Sequence, residues 1–287
     1  MILGCHVQMK APEYLLGSVK EALSYGADAC MVYTGAPQNT IRKPISQLKA
    51  ADAAGLMAEN GMSMERMIIH APYIINPANS VKPEVAELSV SFLQQEIQRV
   101  HEIGARYLVL HPGAYTVTDL PTGIQTIIHQ LNLVDVPSDV TIALETMSGK
   151  GSEVGFRFEQ LAEILAGLQQ NERYGVCLDT CHINDAGYDL TDFDDVLDSF
   201  DHTIGLSRLH VIHLNDSKNA KGMKKDRHAN IGLGTIGFDV LHQIAVNQRT
   251  ENIAKILETP YINKKPPYGI EIEMLKNGKF DAKKLEL

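Results

Sequence analysis

The sequence predicts a (β/α)8 barrel of the TIM-barrel type, formed by a single domain over residues 1–287. Three observations indicate this fold. Eight short apolar runs recur along the chain, and segments with helical periodicity separate them. The length of 287 residues suits a barrel, which needs about 250. No Gly-x-Gly-x-x-Gly motif follows the first run, which disfavours the alternative of a doubly wound open sheet.

The eight apolar runs are rich in Val, Ile or Leu, as expected of parallel strands that are buried on both faces. They cover residues 2–7, 29–34, 67–70, 107–111, 140–145, 175–179, 209–214 and 254–258.

Helical segments are predicted between these strands, near 13–26, 44–60, 83–103, 121–132, 157–170, 192–204 and 235–247. The clearest is 83–103, which begins at Pro83, ends before Gly104 and carries a broad apolar arc that includes Leu88. The alternation of strand and helix is what a parallel barrel requires.

Composition narrows the class of protein. The chain has 35 acidic and 26 basic residues, a net charge of −9 that argues weakly against nucleic-acid binding, although a local basic patch can outweigh it. No run approaches the roughly 18 apolar residues of a membrane span, and the N-terminal segment lacks the pattern of a secretory signal. The cysteines, Cys5, Cys30, Cys177 and Cys181, form no Cys-x-x-Cys pair, which favours reduced thiols. We therefore expect a cytoplasmic protein without a membrane partner.

Candidate metal ligands follow the predicted strands. In a barrel the functional side chains lie at the C-terminal strand ends, and the third to eighth strands all end in or near a metal-binding side chain. These residues are His70, His111, Glu145, Asp179, His213 and Glu258. Three further donors lie nearby: His182 follows Asp179 by three residues, and Asp226 and His228 would share one side of the chain if their loop is extended.

So many carboxylates and imidazoles at one barrel mouth would be unfavourable without cations between them. Five imidazoles and four carboxylates favour zinc, with manganese or iron possible, over an all-oxygen magnesium or calcium site. Nine donors are too many for one ion, so two or three ions with a bridging carboxylate fit better. Of the other histidines, His6 is expected to support a ligand and His210 to point outward.

Six segments resemble motifs of endonuclease IV, the zinc-dependent apurinic/apyrimidinic (AP) endonuclease family. They read MIIHAPYIINP, LVLHPGAY, ALETMSGKGSEVG, CLDTCHINDAGYD, VIHLNDSKNAKGMKKDRHANIGLG and ILETPY. The likeness covers nearly the whole chain in order. It implies a hydrolase of DNA repair that cuts the phosphodiester 5′ to an abasic site in double-stranded DNA, leaving a 3′-hydroxyl and a 5′-deoxyribose phosphate. It also implies removal of 3′-blocking groups, and it points to no obligate protein partner.

The same resemblance implies three zinc ions per chain. Carried over position by position, it assigns three ligand sets: His70, His111 and Glu145; Glu145, Asp179, His213 and Glu258; and His182, Asp226 and His228. Glu145 would bridge the first two ions, and a metal-bound hydroxide between them would be the nucleophile. Three Zn²⁺, four carboxylates and that hydroxide sum to a charge of about +1, which suits a phosphodiester anion.

DNA contacts are expected on the same face. The segment KGMKKDRHANIGLG, residues 221–234, is locally cationic in an acidic chain, and phosphates would approach it. The predicted phosphate contacts are Arg42, Lys224, Lys225 and Arg227. Tyr73 and Ile74 resemble the family's residues that enter the duplex at the lesion.

Two departures from the family pattern concern only DNA penetration. The arginine wedge after the second strand has no clear counterpart, since TGAPQNTIRKP offers Gln38 or Asn39 near that position. The loop after the first strand also lacks the expected serine and paired glycines.

Two rival functions remain at this stage. A sugar isomerase or epimerase on the same barrel would use two divalent ions and would have no use for the third set or the basic loop. A non-catalytic module that binds damaged DNA would be expected to have lost at least one ligand.

Overall fold

Eight parallel strands form a closed barrel in the computed structural model, which describes residues 1–79, 81 and 83–286. The barrel strands are β1 (Ile2–His6), β2 (Ala29–Val32), β3 (Met67–His70), β4 (Tyr107–Leu110), β5 (Thr141–Glu145), β6 (Tyr174–Asp179), β7 (Leu209–His213) and β10 (Ala254–Leu257). They follow one another around the barrel in chain order, and β1 pairs with both β2 and β10. The predicted fold is therefore confirmed. A short antiparallel pair, β8 (Asp216–Ser217) and β9 (His228–Ala229), lies outside the barrel.

The helices lie between the strands, as expected of this fold. They are α1 (Tyr14–Ser24), α2 (Ala50–Glu59), α3 (Pro83–Ile103), α4 (Leu120–Leu131), α5 (Phe158–Ala166), α6 (Thr180–Ala186), α7 (Phe193–Thr203), α8 (Phe238–Val246) and α9 (Tyr268–Asn277). All seven predicted helical segments contain a helix, whereas α6 and α9 were not predicted. Across the described part of the chain, no helix has both the length and the apolar character needed to cross a bilayer.

Two helix predictions need adjustment. The segment 44–60 is not one helix: a 3₁₀ turn (Ile45–Gln47) precedes α2, and Lys49 between them has a left-handed φ of 55° that breaks the helical path. On α3, Leu88 was expected in the apolar arc but is 51% exposed, so the buried stripe is narrower and runs through Phe92 and Leu93.

The core has two layers because alternate residues of each strand point in opposite directions. Side chains inside the barrel form one cluster: Ala29, Met31, Ile68, Val109, Ala143, Cys177, Val211, Ala254 and Ile256. The other strand residues pack outward against the helices in a larger cluster. Because apolar side chains fill the barrel interior, the polar functional groups lie at the ends of the strands.

His210 departs from the simple alternation. The β6–β7 pairing shifts register between Val176 and Cys177, whose partners are Leu209 and Val211, so His210 is an extra residue in β7. Its ring stacks on Tyr107 at 5.4 Å between ring centroids. The expectation that His210 points outward is wrong, because a bulge interrupts the two-residue period.

Gly175 makes room for that ring. A Cβ on Gly175 would lie 2.2 Å from Cδ2 of His210 and 2.5 Å from the carbonyl oxygen of Arg208. Burial lowers the pKa of His210 to about 4, so the imidazole packs as a neutral ring near neutral pH.

We predict that Gly175→Ala destabilises the protein by about 1–3 kcal/mol, because the added methyl group overpacks the barrel. Gly55→Ala is the matched control: it lies within α2, and apart from the neighbouring backbone of that helix no atom lies within 4 Å of the new Cβ. That substitution should be neutral or stabilise by up to about 1 kcal/mol. Urea unfolding of both variants checks this, and equal stability of Gly175→Ala and the parent would contradict it.

Candidate metal centre

Six of the predicted donors converge at the C-terminal end of the barrel. Each is the last residue of its strand or the residue directly after it: His70, His111, Glu145, Asp179, His213 and Glu258. Because parallel strands of one barrel end at the same rim, the closed sheet brings these side chains together. The six side chains that the sequence predicts as metal ligands therefore lie together at this rim.

His182 reaches the same place through α6, which starts directly after β6. Asp179 is the N-cap of this helix, and its Oδ1 accepts a hydrogen bond from the His182 backbone N–H at 2.8 Å. The helix ends at Gly187, which has a left-handed φ of 106°. An aspartate N-cap and a glycine stop were both present in the sequence and indicate such a helix, although its brevity hid it.

Asp226 and His228 lie where the loop from β8 returns into β9. The chain is not extended at Asp226, whose φ is 56°, so strand alternation does not place these two side chains together. The left-handed backbone conformation of Asp226 does so instead. Oδ1 of Asp226 lies 3.1 Å from Nε2 of His182 and 4.0 Å from Nε2 of His228.

The first donor set is His70, His111 and Glu145. Nε2 of His70 and Nε2 of His111 lie 3.3 Å and 3.0 Å from Oε2 of Glu145. Nδ1 of His70 is 2.7 Å from the Ala71 carbonyl oxygen. If that nitrogen carries the proton and donates it to the carbonyl, Nε2 is left free as a metal ligand.

The second donor set shares Glu145 with the first and adds three residues: Asp179, His213 and Glu258. Nδ1 of His213 lies 3.2 Å from Oε1 of Glu145, 3.1 Å from Oε2 of Glu258 and 3.8 Å from Oδ2 of Asp179. Oε2 of Glu145 thus faces the first set and Oε1 faces His213 of the second, although Oε1 also lies 3.3 Å from Nδ1 of His182. A carboxylate placed in this way could bridge two metal ions.

The third donor set consists of His182, Asp226 and His228. Nδ1 of His182 is 2.8 Å from the Thr146 carbonyl oxygen, which orients Nε2 toward Asp226. Nε2 of His228 is buried without a hydrogen-bond partner in the described residues, although Oδ2 of Asp179 is only 3.5 Å away. A buried imidazole nitrogen that faces carboxylates without a hydrogen bond is well suited to coordinate a metal ion.

The chemistry of the donors fits zinc. Within each set the ligand atoms lie within 4.8 Å of one another, and the three sets combine imidazole nitrogen with carboxylate oxygen. Asp179, Cys181 and His228 form a further such group, but burial raises the pKa of the Cys181 thiol, which disfavours thiolate coordination.

Two carboxylates of the site, those of Glu145 and Asp226, are held ionised. Burial by itself raises the pKa of Glu145, but His213 and His111 outweigh it and hold that pKa well below its usual range. Burial also opposes ionisation of Asp226, yet its contact with His182 lowers the pKa to about 2. Both groups are therefore anionic at neutral pH, as metal ligands must be.

His6 supports the second set, in agreement with the expectation from sequence. Its Nδ1 lies 3.1 Å from Oε1 of Glu258, and its ring packs against Tyr33 with 4.8 Å between ring centroids. The contact orients Glu258 so that its other oxygen faces His213.

The glycine-rich end of the motif wraps around a buried carboxylate, that of Asp216. Backbone N–H groups of Gly232, Gly234 and Ile236 each donate to it at 3.0 Å. A Cβ on Gly234 would lie 2.3 Å from Oδ1 of Asp216, which explains the glycine there. This anchor fixes the chain that follows His228.

Glu271 of α9 anchors the same segment from below. It is fully buried, and its Oε1 accepts hydrogen bonds from Nδ2 of Asn230 at 3.1 Å and from the backbone N–H of Ile231 at 3.0 Å. Burial is the largest influence on this carboxyl and raises its pKa to about 7. Sequence reading missed both Asp216 and Glu271, since neither carries a recognisable pattern.

Most residues expected to contact DNA are accessible. Lys224, Lys225 and Arg227 are exposed. The Nζ atom of Lys224 lies 5.0 Å from the centre of the Phe156 ring. Tyr73 is 52% exposed, whereas Ile74 is half-buried and packs against the core.

Arg42 does not behave as predicted. Its side chain is only 3% exposed, and Nε forms an ion pair at 2.6 Å with Oε1 of the fully buried Glu96. Its guanidinium carbon also lies 4.7 Å from the centre of the Phe92 ring. The expectation of a direct phosphate contact is corrected: Arg42 fastens the loop after β2 to α3, because a buried Glu96 requires a positive partner.

A cavity of about 590 Å³ is lined by His6, Tyr33, Ile41 and Tyr261, among others, and by none of the nine donors. Another cavity, of about 950 Å³, lies between α3 and α4, and none of the nine donors lines it. The first cavity is linked to the second set through His6, which contacts Glu258.

A closed (β/α)8 barrel with three donor sets at its mouth defines a TIM-barrel protein suited to several metal ions. Residues 19–278 match a family described as "Xylose isomerase-like TIM barrel". The probable endonuclease 4 of Bacillus velezensis is 54% identical over 99% of this chain and 97% of its own length. The chain belongs to the endonuclease IV family, and it is a hydrolase of the nuclease type.

Solved structures agree with this assignment. Endonuclease IV from Thermus thermophilus superposes with a TM-score of 0.83 at 29% identity, covering 96% of this chain and 98% of that one. A D-tagatose 3-epimerase-like protein superposes with a TM-score of 0.71 at 21% identity, covering 96% of each chain. The second likeness concerns the fold alone.

The buried Glu271 leads to a prediction about pH. Its pKa is raised from 4.5 to about 7 in the folded chain, so its contribution to stability is present below pH 4.5 and is lost as pH rises through 7. Relative to Glu271→Gln, the parent should lose up to about 3 kcal/mol across this window, at about 1.4 kcal/mol per pH unit. Urea unfolding at several pH values measures the difference. Glu273→Gln, exposed on the same helix, is the control, and a flat difference for Glu271→Gln would contradict the prediction.

Proposed function

We propose that this protein is an AP endonuclease that hydrolyses the phosphodiester 5′ to an abasic site in double-stranded DNA. The products are a 3′-hydroxyl and a 5′-deoxyribose phosphate, and the same site removes 3′-blocking groups. The observation that carries the proposal is the third donor set, which adjoins the first two beneath a loop of accessible cations. Membership of the endonuclease IV family supports it.

The proposal assigns one zinc ion to each donor set, with manganese or iron as possible substitutes in some positions. Glu145 is the catalytic residue because its two oxygens face the first and second sets. When bound, zinc ions would lower the pKa of a water from about 15.7 to about 7 and neutralise charge that develops on the phosphate.

The chain's own residues prepare this site. The Ala71 and Thr146 carbonyl oxygens fix the rings of His70 and His182 before any ion arrives. Asp226 and Glu145 are ionised, and the apolar interior below excludes water from that side. Such preorganisation reduces the rearrangement needed during the reaction.

DNA would approach over the loop between β8 and β9. Lys225 and Arg227 have no ion-pair partner among the residues that the structure describes, so their charge is available to phosphates. Lys221 differs, because its Nζ lies 2.5 Å from the Asp189 carboxylate. Lys224 offers a further cation above Phe156, and the exposed Tyr73 would enter the duplex at the lesion, with Ile74 packed behind it.

The proposal also places the enzyme in the cytoplasm, with damaged double-stranded DNA as its partner and no obligate protein subunit. The rival reading, a sugar epimerase on the same barrel, would leave the third donor set and the unpaired cations of its loop without a role.

The first test combines metal content with incision. The purified protein should contain about three zinc ions per chain. It should cut duplex DNA on the 5′ side of an abasic site, and a chelator should abolish this incision. Glu145→Ala should lower incision by at least about 10²–10³-fold, because it removes the shared ligand. Glu159→Ala, exposed on α5, should retain full activity. Two ions per chain with turnover of a ketose sugar and an intact duplex would favour the epimerase instead.

The second test concerns phosphate contacts. Lys225→Ala should weaken binding to abasic duplex in low salt, and the slope of log K against log[salt] should fall by about 1. Lys20→Ala is the control, since Lys20 pairs with Glu13 on the outer helix α1. Fluorescence anisotropy at salt concentrations between low and physiological values measures this binding. An unchanged slope of log K against log[salt] for Lys225→Ala would show that Lys225 does not contact phosphate.

A further inference from the structure

Asp185 is a buried carboxylate that belongs to none of the three donor sets. It lies on α6, three residues after His182, and is 0% exposed. It accepts four hydrogen bonds: from Ser217 Oγ at 2.7 Å, Asn219 Nδ2 at 2.9 Å, Asn184 Nδ2 at 3.1 Å and the Asp226 backbone N–H at 2.9 Å. The last of these is a direct link to a member of the third donor set.

The neighbouring backbone reinforces the link. The Lys224 N–H donates to the Asp185 carbonyl oxygen at 2.9 Å, and the Gly222 N–H donates to the Asn184 carbonyl oxygen at 2.9 Å. The end of α6 therefore holds the loop at three alternate positions: 222, 224 and 226.

This loop needs such support because two of its residues adopt an unfavourable backbone. Lys224 and Asp226 have φ values of 53° and 56°, in the left-handed region that residues other than glycine rarely occupy. Conformations of this kind persist only where surrounding contacts impose them. Asp185 accepts a hydrogen bond from the backbone N–H of each of these two residues.

We propose that Asp185 is a positioning residue for the third metal ion, an inference that rests on the three-ion site proposed above. His182 and Asp226 come from different segments, the helix α6 and the loop before β9. Asp185 joins these segments because its backbone continues from His182 and its side chain holds Asp226 through the N–H. The carboxylate thereby sets the distance between Nε2 of His182 and Oδ1 of Asp226, which is 3.1 Å.

The site calls for a carboxylate. Oδ1 faces two donors, Ser217 and Asn184, and Oδ2 faces two others, Asn219 and Asp226. An asparagine could still accept the Asp226 N–H through its oxygen. Its NH₂ would then meet Ser217, whose hydroxyl can reverse its role, and the Asn184 NH₂, which is a donor as well. An alanine would leave all four donors without this acceptor.

The test uses Asp185→Ala and Asp185→Asn, with Asp189→Asn as the control. Asp189 is an exposed acid four residues further on that contacts the same loop only through Lys221. Zinc per chain is measured after equilibration at buffered free zinc, together with the thermal midpoint of the metal-free protein. Incision of abasic duplex is followed at rising zinc concentration.

Asp185→Ala should lose one zinc ion per chain and keep the other two, with third-site affinity about 10–100-fold weaker. Asp185→Asn should fall between this variant and the parent, and Asp189→Asn should keep every ion. Excess zinc should restore incision by Asp185→Ala, because its ligands are intact. Metal-free Asp185→Ala should melt at a lower temperature than the parent, because buried donors lose their acceptor, so the selective loss of one ion is the deciding result.

An unchanged zinc content and affinity in Asp185→Ala would overturn the proposal. So would loss of all three ions to a similar extent, since that outcome marks a general structural role. If Asp185→Ala does not fold, the affinity of Asp185→Asn decides by the same criteria. A parent that binds three ions but cuts no abasic DNA would defeat the proposed function, while selective loss of one ion would still support the role of Asp185.

Discussion

The accumulation of ionisable side chains at the barrel mouth is the constraint on which the rest of the structure depends. Four carboxylates and five imidazoles occupy a largely buried space, with donor atoms within 4.8 Å of one another in each set. Buried charges at such distances are unfavourable unless opposite charge lies between them. Imidazoles partly meet this need, as the depressed pKa of Glu145 shows, but the buried and unpartnered Nε2 of His228 marks where protein groups alone do not satisfy one another. Metal ions bound as proposed would supply the missing positive charge and would be available for catalysis.

Two different structural devices deliver the donors. The parallel strands place six of them, because every strand ends at the same rim and the register of the closed sheet is fixed by its apolar interior. The other three come from irregular structure and need supports of their own. Asp179 caps the helix that carries His182, while Asp216 and Glu271 hold the chain beyond His228. These buried acids fix the loops, as backbone pairing fixes the strands of the barrel.

Charge is distributed unevenly over the molecule. An acidic chain, with a net charge of −9, keeps accessible cations near the donors. Their positions differ in effect: Lys221 is neutralised by Asp189, whereas Lys225 and Arg227 remain available in the described structure. Arg42 shows that a cation in the right loop is not enough, since its charge serves to balance the buried Glu96. Burial, more than position in the sequence, decides which basic side chains are accessible to a bound polyanion such as DNA.

The sequence by itself determined the barrel and indicated the candidate donors. Strand runs, helical periodicity and strand-end positions are local properties, so β3 and α3 could be placed to the residue and His70 or Glu145 recognised by type. Tertiary structure decided the rest. The bulge that turns His210 inward, the left-handed turn at Asp226 and the ion pair that buries Arg42 each depend on a partner far away in the chain: β6, Asp185 and Glu96. Periodicity cannot report such partners, because their energies arise only when distant segments meet.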